Sequence, residues 1–299
     1  MGMIGGIGLL GVGICAVALL AALLLPRVTL QQRSAGRPDR SLRTVQITLV
    51  AALLATVGTA IIAASIDNAH PEWLGVPIGV GSGIAVSVGL AVVAATPALG
   101  ARPQALRSAT LAPRTAWTVG ARRDYLVPAV AAAVLAMVLL ATGSTGSADE
   151  TGLLRAFTVV RPHGASTASP YPGWFYAVPL LVSTALLLLT TMLAMRRIAR
   201  LPALTDVHDT ADRTWRRSVT SAISRLSTAG LLADLGGTLL VTGSAIHSAG
   251  SGTPLELLGA GVVVLALLAG ALACGAFALA LAAAASFRVS PSEPATLLR

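Results

Sequence analysis

Asp234 is the only formal charge well inside an apolar run of this 299-residue chain. The run extends from about Ser227 to Ile246, and the last charge before it is Arg225. At 1.5 Å per helical residue, Asp234 lies about 10 Å into a bilayer core that begins near Ser227. A carboxyl group in hydrocarbon is costly and is a functional candidate by default. A proton or cation relay would use such a group. The structural alternative is an Asp hydrogen-bonded to Thr238, one turn on, or to a neighbouring helix. No second carboxylate or basic partner lies well inside the other apolar runs.

Other chemistry is less well supported. Ser82 and His247 would form a Ser–His dyad only if adjacent at one depth. Asp67, His70 and Glu72, then Asp149, Glu150 and His163, then His247 and Glu256 could gather at one face, but their spacings match no ligand motif. The chain has no HExxH, no phosphate-binding GxxxxGK[ST] loop and no acidic pair of the kind used by metal-dependent lipid enzymes. Cys15 and Cys274 sit in apolar runs without CxxC spacing and read as small packing residues. No catalytic residue, metal site or cofactor is therefore assigned.

The elements that must hold Asp234 follow from composition. The chain is 55% hydrophobic and only 11% charged. A soluble domain is nearer a quarter charged, so lipid is the solvent these proportions suit. A bilayer core takes about 20 apolar residues per helix. Seven stretches reach about that length: 3–25, 45–64, 75–99, 126–142, 175–195, 227–246 and 255–285. The expected fold is all-α, a single transmembrane bundle of about seven spans.

The basic residues are 21 arginines with no lysine, giving a net charge of +9. Nineteen of the 21 fall in segments on one side of this map; only Arg155 and Arg161 fall on the other. The positive-inside rule makes the rich side cytoplasmic, with the N-terminus outside and the C-terminus inside. Arginines in short loops between apolar runs are topology determinants rather than a nucleic-acid surface, and anionic lipid headgroups are their expected partners. No Lys or Arg precedes Arg27, so the first run reads as an N-out anchor rather than a cleaved signal peptide.

Two further patterns concern packing. Gly75, Gly79, Gly83, Ser87, Ala91 and Ala95 recur every four residues and form a small-residue ridge for another span or a second copy of the chain. Ala266, Gly270, Cys274, Ala278 and Ala282 repeat the device. Residues 200–226 read as a cytoplasmic amphipathic helix leading into span six. Val207, Ala211, Trp215, Val219, Ile223 and Leu226 form its stripe, with Asp209–Arg213 and Asp212–Arg216 as i,i+4 pairs. The stripe would face the membrane surface, the bundle or a partner.

Two segments carry a family resemblance: Leu111-Ala112-Pro113-Arg114-Thr115 followed by Arg123-Asp124-Tyr125-Leu126-Val127-Pro128, and Met195-Arg196-Arg197-Ile198-Ala199-Arg200 followed by the Asp/Arg helix. With them the chain resembles multi-pass membrane proteins of high-GC Gram-positive bacteria. The resemblance implies a plasma-membrane location and transfers no activity and no functional residue. The reading ranked first is a non-enzymatic accessory or partner-binding membrane component, because few polar groups in the spans leave little room for a wide aqueous path. A small transporter or permease component using Asp234 is the alternative, and an intramembrane enzyme stands third.

Overall fold

The structure, a computed structural model, describes residues 28–32, 51, 55–62, 65–66, 69, 75–95, 120–162, 164–201, 209–285 and 287–291. Helix dominates. In chain order the elements are β1 (Val28–Gln32), α1 (Val76–Ala95), α2 (Arg123–Thr145), β2 (Ser147–Ala148), β3 (Leu154–Arg161), β4 (Gly164–Ala168), α3 (Trp174–Arg200), α4 (Asp209–Ala249), α5 (Pro254–Ala285) and β5 (Phe287–Pro291). The described residues between 51 and 69 are also helical.

Helices α2, α3, α4 and α5 are long and apolar enough to cross a membrane. The apolar part of α1, Gly79–Ala95, is shorter. The expected first span, 3–25, lies outside the described residues, and the second, 45–64, lies largely outside them.

The 41-residue α4 is the hub and touches α1, α2, α3 and α5. Its stripe residues Trp215, Val219, Ile223 and Leu226 are buried in the main apolar core, together with Leu135 and Leu139 of α2 and Leu187 of α3. The stripe thus faces the bundle. Val207 and the side chains of Asp209, Ala211 and Asp212 lie outside the described residues.

Helices gain no hydrophobic drive from touching one another in lipid, so close backbone approach must supply contact. The α4–α5 hairpin depends on it. A Cβ on Gly243 would stand 2.8 Å from both Gly259 O and Val263 N, and one on Gly259 would be 2.7 Å from His247 Cα. The face of α5 toward α4 includes Ala266, Ala278 and Ala282, all buried, while Leu257, Leu265, Leu268 and Leu272 on its other sides are exposed, as lipid contact requires.

The ridge on α1 behaves differently. Gly83 and Ser87 are buried, Gly75 and Gly79 are half-buried, and Ala91 and Ala95 are exposed. At 3.6 residues per turn, each four-residue step rotates about 40°, so five steps carry the row about 200° around the helix. A straight helix cannot keep all six residues on one face.

Two small sheets accompany the helices. In one, β2, β3 and β4 pair antiparallel, with Arg161 opposite Gly164 across a two-residue loop. In the other, β1 pairs parallel with β5. The three-stranded sheet joins the C-terminal end of α2 to the N-terminal end of α3 and packs on the C-terminal end of α4. There Tyr171, Ala245 and Ile246 form a second core with Phe157 and Leu255.

Arg161 extends from β3 and donates to Ala249 O at 2.7 Å and Ser251 O at 2.8 Å, satisfying carbonyls that the end of α4 leaves open. At the opposite end, buried Arg216 donates to Ile198 O at 2.6 Å and Leu201 O at 3.0 Å, doing the same for α3. Exposed Arg122, Arg123, Arg196, Arg200, Arg213 and Arg217 also cluster at that end.

Candidate functional site

Asp234 is 3% exposed, at the crossing of α1, α3 and α4. Its partner is Ser82 of α1, whose hydroxyl donates to Oδ1. The other carboxyl oxygen, Oδ2, has no hydrogen-bond partner among the described residues, and neither has the buried hydroxyl of Ser183 on α3. Gly83 shows where these two atoms meet. A Cβ at that position would collide with Ser183 Oγ and stand 2.7 Å from Asp234 Oδ2. The absence of a side chain at Gly83 is what lets α1 approach a carboxyl on α4 and a hydroxyl on α3 together.

Thr238 is buried, but its hydroxyl donates to the backbone oxygen of Asp234 at 2.8 Å, not to the carboxyl group. Many buried hydroxyls behave this way. Ser87, Thr184, Thr191, Thr228 and Thr242 each donate to a carbonyl one turn back, at 2.6–2.8 Å. The interior therefore holds more polar groups than the expectation of apolar spans allowed, but most are satisfied within their own helix. Ser183 departs from this pattern.

The site is closed on one side by apolar packing. Gly230, one turn before Asp234 on α4, has its Cβ position 3.0 Å from Val86 Cγ2 and 3.3 Å from Leu187 Cδ2. Leu187 and Leu231 are fully buried there. Below this dry layer, the Thr191 hydroxyl meets the Ser227 hydroxyl at 2.9 Å.

The other singled-out residues lie elsewhere. Ser82 is committed to Asp234, whereas His247 Nδ1 is 3.1 Å from Glu256 O. Thirteen residues of helix, about 20 Å, separate Asp234 from His247, so Ser82 and His247 are not brought together. Asp149 closes a turn before β3. Its carboxylate accepts from the Thr151 hydroxyl at 2.7 Å, from the Thr151 and Leu153 amides, and from Arg155. The Thr151 hydroxyl first, then Arg155 and the two amides, hold that carboxyl well below the usual carboxylate range. Glu256 accepts from the Gly252 amide at 2.8 Å. Asp67, His70, Glu72 and His163 lie outside the described residues. Among the described residues, no three His, Cys, Asp or Glu side chains group to hold a metal ion.

No known family, curated protein or solved structure matches the chain. The chemistry of the site must therefore carry the reading. A lone carboxyl in an apolar bundle, with one oxygen bonded and the other open toward an unpartnered hydroxyl, can accept a proton or a small cation.

Proposed function

We propose that the chain is a bacterial plasma-membrane protein of seven spans, N-terminus outside, working as a small transport or permease component through Asp234. One observation carries the reading. Among the described residues, two buried polar atoms from different helices, Asp234 Oδ2 and Ser183 Oγ, are left without partners at the same spot. Buried polar groups are rarely left so unless the site serves a task. This geometry moves the transport reading ahead of the accessory one favoured by composition.

Two features support the topology. Nineteen of 21 arginines fall on the side assigned to the cytoplasm, where anionic headgroups would meet them. The parallel pairing of β1 with β5 sets the segments after the first and last apolar runs side by side, as an odd number of spans with both segments on one face would do. The test is reconstitution in liposomes with an internal pH indicator. Protein-dependent proton flux should be lost in Asp234→Asn; flux unchanged by that substitution rejects the reading.

A second reading has its own observation. Among the described residues, nothing lies within 4 Å of the Cβ positions of Gly75 and Gly79, at the N-terminal end of α1. A partner helix or a second copy of the chain docked on that side of α1 would make the chain an accessory component. Gly79→Leu should then release a co-purifying partner, or convert a dimer to a monomer, without touching the Asp234 site.

A further inference from the structure

We propose that Asp234 and Ser183 form a one-proton site. A proton taken from solution binds Asp234 Oδ2, and the resulting O–H is donated to Ser183 Oγ, while Ser82 continues to donate to Oδ1. The carboxylate loses its negative charge, no other covalent bond is made or broken, and Oδ2 and Ser183 Oγ become each other's partner. The inference rests on the reading of Asp234 as the working group of a transport component, and it names what that group carries.

Three observations lead there. Asp234 Oδ2 and Ser183 Oγ are both buried and unpartnered among the described residues. Both crowd the one position that Gly83 leaves empty. Ser183 also forgoes the bond to its own helix that Thr184, Thr191, Thr228 and Thr242 all make, so its oxygen is free to accept.

Among the described side chains, the donor set is too small for a divalent metal ion. Hard cations take about six or more oxygens, whereas this site offers two carboxyl oxygens and two serine hydroxyls, one already committed. One proton suffices.

Few other charges face the site. Helix α1 has no ionisable residue between Val76 and Ala95. On α2, Arg123, Asp124 and Tyr125 lie at the N-terminal end. Tyr176 opens α3, and Arg196, Arg197 and Arg200 close it. On α4 the nearest charged groups are Arg225 and His247, about 14 and 20 Å along the helix. Helix α5, which packs on α4, contributes Glu256 at its start and Cys274. Among the described helices, Asp234 is thus the one carboxyl group that titrates in this layer.

The test uses the full chain in liposomes and a hydrophobic carbodiimide, which a protonated carboxyl protonates and then attacks at carbon, leaving an adduct that mass spectrometry locates. Asp234 should be labelled, increasingly as pH falls, and sodium should not protect it. Asp234→Asn should remove the adduct. Ser183→Ala should move the labelling profile to lower pH by about one unit, the worth of one hydrogen bond to the protonated form. Ser183→Thr, which keeps the hydroxyl, should restore the profile, a result that a purely structural role would not produce. Labelling independent of pH, protection by sodium, or a wild-type profile in Ser183→Ala would overturn the one-proton site. Proton flux measured on the same vesicles separates the two claims. A titrating label without flux defeats the transport reading and leaves the site standing, while flux with pH-independent labelling does the reverse.

Discussion

Besides the Arg216 clasp, helices α3 and α4 bring polar side chains together at two places about two turns apart. At one, Thr191 and Ser227 satisfy each other at 2.9 Å, and Thr191 also bonds its own helix. At the other, Ser183 and Asp234 face the same space near Gly83, and each keeps an atom without a partner among the described residues. The dry layer of Val86, Leu187 and Leu231 separates them. The closed contact shows that these helices can be joined by neutral hydroxyls alone. A carboxyl is not needed for association, and its presence at the open contact calls for a different explanation, which binding a proton supplies.

The largest way to break this comparison is to fill the space that the open contact depends on. Gly83→Leu drives a side chain onto Ser183 and Asp234 and should destabilise the bundle by about 1–3 kcal/mol or more, as overpacking does. Thermal unfolding in detergent would measure it. Asp234→Asn keeps the shape and the Ser82 contact. It should lower proton flux at least about tenfold, equivalent to about 1.4 kcal/mol, while melting close to wild type. If it instead unfolds the chain and leaves residual flux intact, the open contact is structural.

The closed contact should give the opposite result. Thr191→Val removes one interhelical hydrogen bond, which costs on average about 0.6 kcal/mol between membrane helices. Stability should fall slightly and flux should not change. Equal effects of Thr191→Val and Asp234→Asn on flux would erase the distinction between the two contacts.

The smallest effect comes from Asp149, the fully partnered aspartate outside the bundle. Its folded pKa is depressed, so its contribution to stability is complete above the ordinary Asp value of about 3.9 and is lost as pH falls below it. Hydrogen exchange at the Thr151 and Leu153 amides should therefore stay slow through neutral and mildly acidic pH and quicken only in strong acid. Asp149→Asn should quicken it at every pH.

Much of this was legible in the residues. Hydropathy places the ends of α2, α3 and α5 within a few residues, because a long apolar run bounded by arginines or prolines has few alternatives. Asp234 stood out as the one charge inside a span. Its partners did not, since which helix faces which is decided by tertiary packing that hydropathy does not encode. Spacing and residue type mark Ser82 only as a prospective nucleophile and assign Ser183 no role. Its one sequence signal is an isolated serine in a leucine-rich run, one turn after Pro179.

The sheet is likewise faint in the residues. Phe157-Thr158-Val159-Val160 has strand character, but the sequence that follows, Arg161-Pro162-His163-Gly164, lacks the Asn-Gly or Asp-Gly pair that signals a hairpin. Arg161 seemed an isolated exception to the charge map. It is a clasp on the end of α4, and Arg155, the other exception, pairs with Asp149. Both outlying arginines thus have structural work at the sheet end.

The most direct test of the central claim is infrared difference spectroscopy of the full chain in liposomes, titrated with acid and compared with Asp234→Asn. A protonated-carboxyl band that grows on acidification, shifts with Ser183→Ala and vanishes in Asp234→Asn is the expected result. A spectrum in which no carboxyl band depends on Asp234 would contradict it.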